Sequence, residues 1–265
     1  MGGFFYTYSM RILVNGCSFT RGLGFESEDQ APEIWPNLLC QKTSAPVTNI
    51  AKSGSSNLEI FLSTLRELQE REYDLVIVQW TELRRTWLEP GLDRRYVCAT
   101  PPRNFHTIKE AWQHHDMHLS VKQRRQFEET LLMLTGDYRA CHDLVTYCNT
   151  LQQIHPKIIF INGLVPWTQD LVELKTPWDL AASMSGFTRD MLEFDHKSDE
   201  EIRHWWQQLH DRMSLVLPFW ANPFESWFDN QIDLAPAGHH PGPLGHQWIF
   251  DKIWSHMVDR KFTSV

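Results

Sequence analysis

A serine at the tip of a small-residue turn and a histidine pinned in a Gly/Pro-rich loop are the residues of this chain best suited to chemistry, and they stand near its opposite ends. Ser18 lies in Gly16-Cys17-Ser18-Phe19-Thr20, directly after the apolar run of residues 10–15. An apolar run that stops at a glycine reads as a buried strand entering a tight strand-to-helix turn. A hydroxyl there can be a nucleophile if a base takes its proton, and it can equally cap the helix that follows. The histidine is His240, in Gly238-His239-His240-Pro241-Gly242-Pro243-Leu244-Gly245-His246. Glycine and proline fix the backbone around it and leave the imidazole clear of helix or strand packing. Acyl chemistry at a serine needs an accessible hydroxyl, a histidine to accept its proton, a group that orients that histidine, and donors for the oxyanion.

Other reactive residue types are less well placed. His106, His114, His115 and His118 have no carboxylate or cysteine companions at ligand spacing, so neither a metal site nor a cofactor is expected. The chain's five cysteines are an odd number without a CxxC pair, which argues against a disulfide framework or a zinc knuckle. Cys17 adjoins Ser18 but should point into the packing, by strand alternation. Arg84 and Arg85 either clamp an anionic substrate or form a solvated surface pair. Of the twelve tryptophans, Trp205, Trp206, Trp220 and Trp227 read first as core and lid packing, and second as a platform for a sugar ring or acyl group.

The elements that must position Ser18 and His240 follow from the apolar patterning. Residues 47–51 and 74–80 read as further strands, and 157–162 as a fourth. The strand at 47–51 runs into a second small-residue turn, Lys52-Ser53-Gly54-Ser55-Ser56-Asn57, and then into a helix over 58–71 with Ser56 or Asn57 as its cap. Helices are also predicted near 34–39, in two successive pieces over 121–154, at 200–215 and, closing the chain, at 244–258. Residues 1–9 read as an N-terminal extension, and about 94–120 and 166–199 as insertions or a lid. Buried strands alternating with helices give one α/β domain over 1–265, a three-layer α/β/α sandwich with a mostly parallel central sheet. In such sheets ligands bind beyond the carboxyl ends of the strands, where each of the turns above lies.

Bulk composition narrows the function classes. At 42% hydrophobic and 22% charged residues the chain is globular. A formal charge of −8 disfavours a nucleic-acid partner. No apolar run is long enough to span a bilayer and no signal peptide is evident, so a cytoplasmic location is expected.

The motifs together resemble the SGNH/GDSL hydrolase family. Gly16-Cys17-Ser18-Phe19-Thr20 is similar to its first block, with Cys17 in place of the usual Asp; Ser53-Gly54 is similar to the second; His240-Pro241-Gly242 with Gly245-His246 is similar to the fifth. The resemblance implies a flavodoxin-like strand order, Ser18 as nucleophile, His240 as general base, and the Ser18 and Gly54 amides in the oxyanion hole. Two positions depart from the family. Its third-block asparagine is missing from Gln79-Trp80-Thr81-Glu82, leaving Thr81 or Asn57 as the remaining donor. The Asp normally three residues before the histidine is Ala237, so Asp233, Asp229 or a backbone carbonyl must orient the ring. Implied, then, is a serine hydrolase acting on an ester, an O-acyl group on a carbohydrate or small metabolite. An acyltransferase on the same site, or a weak or inactive binding protein owing to Ala237, is the alternative. His239 reads as an exposed loop neighbour, and His246 as packing or capping the closing helix. Oligomeric state is left open.

Overall fold

The structure, a computed structural model, describes residues 10–81, 86–88, 97–99, 137–162, 199–222, 225, 227, 232–235 and 240–262. Four short strands form its centre: β1 (Ile12–Asn15), β2 (Val47–Asn49), β3 (Leu75–Trp80) and, last in the chain, β6 (Ile158–Asn162). They pair in parallel in the order β2-β1-β3-β6. Every residue of β1, β3 and β6 is buried, whereas the edge strand β2 is only partly so. Continuous apolar runs are what a parallel sheet covered on both faces requires.

The two faces carry separate cores. Leu13, Val76, Val78, Ile158 and Phe160 point to one side, against α3 (Asn57–Glu70), α4 (Asp137–Ile154) and α5 (Asp199–Val216) through Ile60, Leu144, Val145 and Met213. Ile12, Val14, Leu75, Ile77, Ile159 and Ile161 point to the other, against α2 (Trp35–Thr43) and α6 (Pro243–Asp259) through Trp35, Leu39, Ile249 and Ile253. Side-chain alternation along each strand thus feeds two helical layers, giving the α/β/α sandwich expected. Trp220 and Trp227 are buried in these two cores respectively, which is the packing role. The side chains of Trp205 and Trp206 lie outside the described residues.

One local feature differs from expectation. Thr86–Leu88 (β4) and Val97–Ala99 (β5) form an antiparallel ribbon, so the start of the segment read as an irregular insertion contains a strand. Three-residue strands are too short to show a period of two. The rest of 94–120, the 166–199 insertion, residues 1–9 and the first of the two helices expected over 121–154 fall outside the described residues. Among the described residues, no helix is long and apolar enough to cross a membrane.

Candidate active site

The turn that carries Ser18 is built at the carboxyl end of β1. Ser18 opens the one-turn helix α1 (Ser18–Arg21), and Cys17 is its N-cap residue. Cys17 is fully buried in the α2/α6 core, as strand alternation predicts. Carboxamides tie this turn to its neighbours. Gly16 N–H donates to Asn15 Oδ1 at 2.8 Å, Asn49 Nδ2 donates to the Thr20 carbonyl at 3.3 Å, and the Thr20 hydroxyl donates to Gln79 Oε1. Asn15 and Asn49 are the last residues of β1 and β2, and Gln79 is the next-to-last of β3. Asn15 and Gln79 are buried and carry no charge into the low-dielectric interior. Their importance was not singled out from sequence. The available signal was an Asn or Gln at or next to the end of an otherwise apolar run.

His240 reaches the turn from the far end of the chain. Its Nε2 lies 3.0 Å from Ser18 Oγ, across a sequence separation of 222 residues. The Ser18 hydroxyl makes that contact, and α1 takes no side-chain cap bond at its start. Ser18 is buried, at 7% exposure, and His240 is half-buried. The Phe19 ring packs edge-on against the imidazole at 5.4 Å and, at the same distance, against Trp227.

The loop holding His240 is fixed by backbone pairing with residues 233–235. Ala235 N–H donates to the His240 carbonyl at 2.9 Å, and Leu234 and Pro241 form an antiparallel bridge. Asp233, one of the candidates to orient the ring, has another engagement. Its Oδ2 accepts the Leu244 amide at 2.9 Å and its Oδ1 the Gly245 amide at 2.6 Å, capping α6. The first amides of a helix have no intrahelical acceptor, and a carboxylate suits the positive end of its dipole. Gly242 and Gly245 are needed for this approach, since a Cβ on either would collide with Asp233, and on Gly245 with Trp227 as well. Ala237, Asp229 and His239 lie outside the described residues, as does Arg84.

His246 packs as expected, but the helix it caps is α2. Its Nδ1 accepts the Trp35 N–H at 3.3 Å, and Phe25 covers it at 5.5 Å. Trp35 is the first residue of α2, whose own N-cap, Ile34, has no side-chain acceptor. Burial lowers the His246 pKa to about 4, with Asp233 partly opposing and His240 adding to the shift.

The second turn supplies the remaining candidates. Lys52 N–H donates to the Gly16 carbonyl at 3.3 Å, joining this loop to the Ser18 turn. Gly54 has φ +82°, a left-handed conformation that suits glycine, and no atom of the described residues lies within 4 Å of where a side chain would begin. Ser56 caps α3, its hydroxyl accepting the Glu59 amide at 3.2 Å. Asn57 is therefore relieved of capping, and its Oδ1 accepts the backbone N–H of Thr81 at 2.9 Å. Accepting at Oδ1 makes Nδ2 the donor end of the carboxamide. The Thr81 hydroxyl is buried and has no partner among the described residues.

In strand order and in motifs, the chain resembles the SGNH/GDSL hydrolases. No family model and no curated protein sequence matches it. Among solved structures it is similar to a carbohydrate esterase family 2 enzyme with its carbohydrate binding domain from Corynascus thermopiles (Myceliophthora fergusii), at 13% identity over 95% of this chain and 67% of that one, with a TM-score of 0.48. It is similar to phospholipase A1 from Streptomyces albidoflavus NA297 at 11% identity, over 94% and 99% of the two chains, with a TM-score of 0.43. TesA is a further match, at 11% identity over 96% and 100%, with a TM-score of 0.41.

Proposed function

We propose that this protein is a serine hydrolase of the SGNH type that cleaves an ester through an acyl-enzyme on Ser18. The observation that carries this reading is the 3.0 Å contact between His240 Nε2 and Ser18 Oγ. It is the hydrogen-bond distance at which a general base takes the proton of an attacking hydroxyl.

In the first half-reaction Ser18 Oγ attacks the ester carbonyl while its proton passes to His240 Nε2. The tetrahedral oxyanion collapses, the carbon–oxygen bond to the alcohol breaks, and the imidazolium returns the proton to the departing alkoxide. In the second half, His240 deprotonates a water that attacks the acyl-enzyme. Collapse then releases the carboxylic acid, and Ser18 recovers its proton.

Three donors are assigned to the oxyanion: the Ser18 amide, the Gly54 amide and Asn57 Nδ2. The Asn57 side chain stands at the amino end of the 14-residue helix α3, where the dipole favours negative charge. Between the two residues left open by the sequence, the geometry favours Asn57 as the donor and Thr81 as its anchor, because the Thr81 N–H is what holds Asn57 Oδ1. The family resemblance points to an O-acylated carbohydrate or small metabolite as substrate.

A fluorophosphonate probe tests the reading. Phosphonylation of the intact protein that disappears in Ser18→Ala and is sharply reduced in His240→Ala is the expected result, accompanied by parallel losses in aryl-acetate hydrolysis. An unlabelled wild-type protein, or a Ser18→Ala variant that hydrolyses the ester as fast as wild type, overturns it.

A further inference from the structure

We propose that Asn15 is a positioning residue that sets the distance between the nucleophile and the oxyanion donors by locking the β1 turn onto helix α3; this rests on the serine-hydrolase reading above. Asn15 is the last residue of β1 and is 1% exposed. Its two ends face different parts of the site. On one side Oδ1 accepts the Gly16 amide, two residues before Ser18. On the other side Nδ2 reaches the Ile60 carbonyl at 2.9 Å and the hydroxyls of Ser63 and Thr64, each at 2.8 Å.

The polarity of this junction is fixed from both directions. The Thr64 hydroxyl donates to the Ile60 carbonyl at 2.7 Å, and the Ser63 hydroxyl donates to the Glu59 carbonyl at 2.8 Å. With their protons directed into the helix, both hydroxyls offer only lone pairs to Asn15. A carboxamide answers this with a donor toward α3 and an acceptor toward Gly16, and it does so without a change of protonation state. Ile60 lies one turn beyond Asn57, so the junction grips the helix immediately behind the residue assigned to the oxyanion. Ser18 leads directly from the other end of the same side chain.

A serine and an oxyanion donor must be in register to a fraction of an ångström, and misplacement by about 1 Å can cost about 100-fold. Asn15 is therefore expected to act on kcat through Asn57 without touching substrate. Asn15→Asp keeps the size and the acceptor for Gly16 but presents a carboxylate to the Ile60 carbonyl. Thr64→Val keeps the shape and removes one acceptor; it is the milder variant and carries the test if Asn15→Asp does not fold.

The experiment is a double-mutant cycle in ester hydrolysis, with Asn57→Ala as the second site and Ser18→Ala as the control. Expected is a fall in kcat of about 10- to 100-fold for Asn15→Asp and about 3- to 10-fold for Thr64→Val, with KM changed less than about threefold. In the Asn57→Ala background the same substitutions should cost much less, because the donor they align is already gone. Additive effects in the two backgrounds, or a loss confined to KM or to melting temperature, overturn the role of Asn15 and leave Ser18 chemistry standing. A Ser18→Ala protein that retains full hydrolysis overturns the serine reading itself, and the Asn15 inference with it.

Discussion

Asp233 and Gly245 are joined by a 2.6 Å bond from the glycine amide to the Asp233 Oδ1, five residues beyond the histidine that faces Ser18. The carboxylate thereby anchors α6 and, through the 233–235 and 240–242 pairing, the loop that carries His240. Removing it leaves two first-turn amides without an acceptor. Asp233→Ala is expected to lower stability by about 1–2 kcal/mol, the usual cost of a lost cap, and to reduce ester hydrolysis in consequence. Urea unfolding beside turnover checks this. Full stability with lost turnover would mean that Asp233 acts on the His240 ring directly.

Gly245 and Gly54 separate crowding from conformation. A methyl on Gly245 has no room, lying between Trp227 Nε1 and Asp233 Oδ1. Gly245→Ala should therefore cost about 1–3 kcal/mol through overpacking and displace the His240 loop. Gly54→Ala meets no atom of the described residues within 4 Å and carries the left-handed backbone penalty of about 1–2 kcal/mol. Its loss of kcat should be large relative to its loss of stability, since the strain falls on an amide assigned to the oxyanion. Chemical denaturation and kinetics on both variants read the difference; equal ratios of kcat loss to stability loss would remove the distinction.

The sequence made the sheet legible because each buried strand opens on at least three consecutive apolar residues, and it made Ser18 and His240 legible because a turn and a Gly/Pro loop leave those side chains few packing roles. Asp233 was harder to read, because it caps from a separate loop, 11 residues before the first amide that it accepts. Thr81 was ambiguous for a different reason: its backbone N–H makes the bond to Asn57, and residue type says nothing about a backbone amide. The helix capped by His246 was unreadable since its acceptor serves Trp35 across 211 residues. Short-range patterning carries the elements, whereas contacts between loops depend on how the finished sheet brings its ends together.

Asn57 and Thr81 can be told apart by what each loses. Asn57→Ala removes the carboxamide and should lower kcat by about 100- to 1000-fold, the usual effect of losing one oxyanion donor. Thr81→Val keeps the backbone N–H that anchors Asn57 and removes a buried hydroxyl with no partner among the described residues. Its stability should hold or rise, because a buried unsatisfied hydroxyl is itself unfavourable. Steady-state kinetics on both decide the assignment, and a loss in Thr81→Val equal to that in Asn57→Ala would make the threonine hydroxyl the donor.

His246 links stability to pH. Burial holds its pKa at about 4, below the ordinary 6.5, so the folded protein keeps this ring neutral while the unfolded chain protonates it. Between those values the unfolded state binds more protons, and stability must fall as pH drops from about 6.5 to about 4, levelling off below. At about 1.4 kcal/mol per unit, the full loss is about 3 kcal/mol. His256, whose pKa burial also lowers, adds a loss of the same sign. His246→Asn retains an acceptor for the Trp35 amide but has nothing to titrate, so its urea midpoint should change less between pH 7 and pH 4.5 than that of the wild type. An identical pH dependence in the two proteins would assign the acid sensitivity to other groups and leave His246 as an inert packing residue.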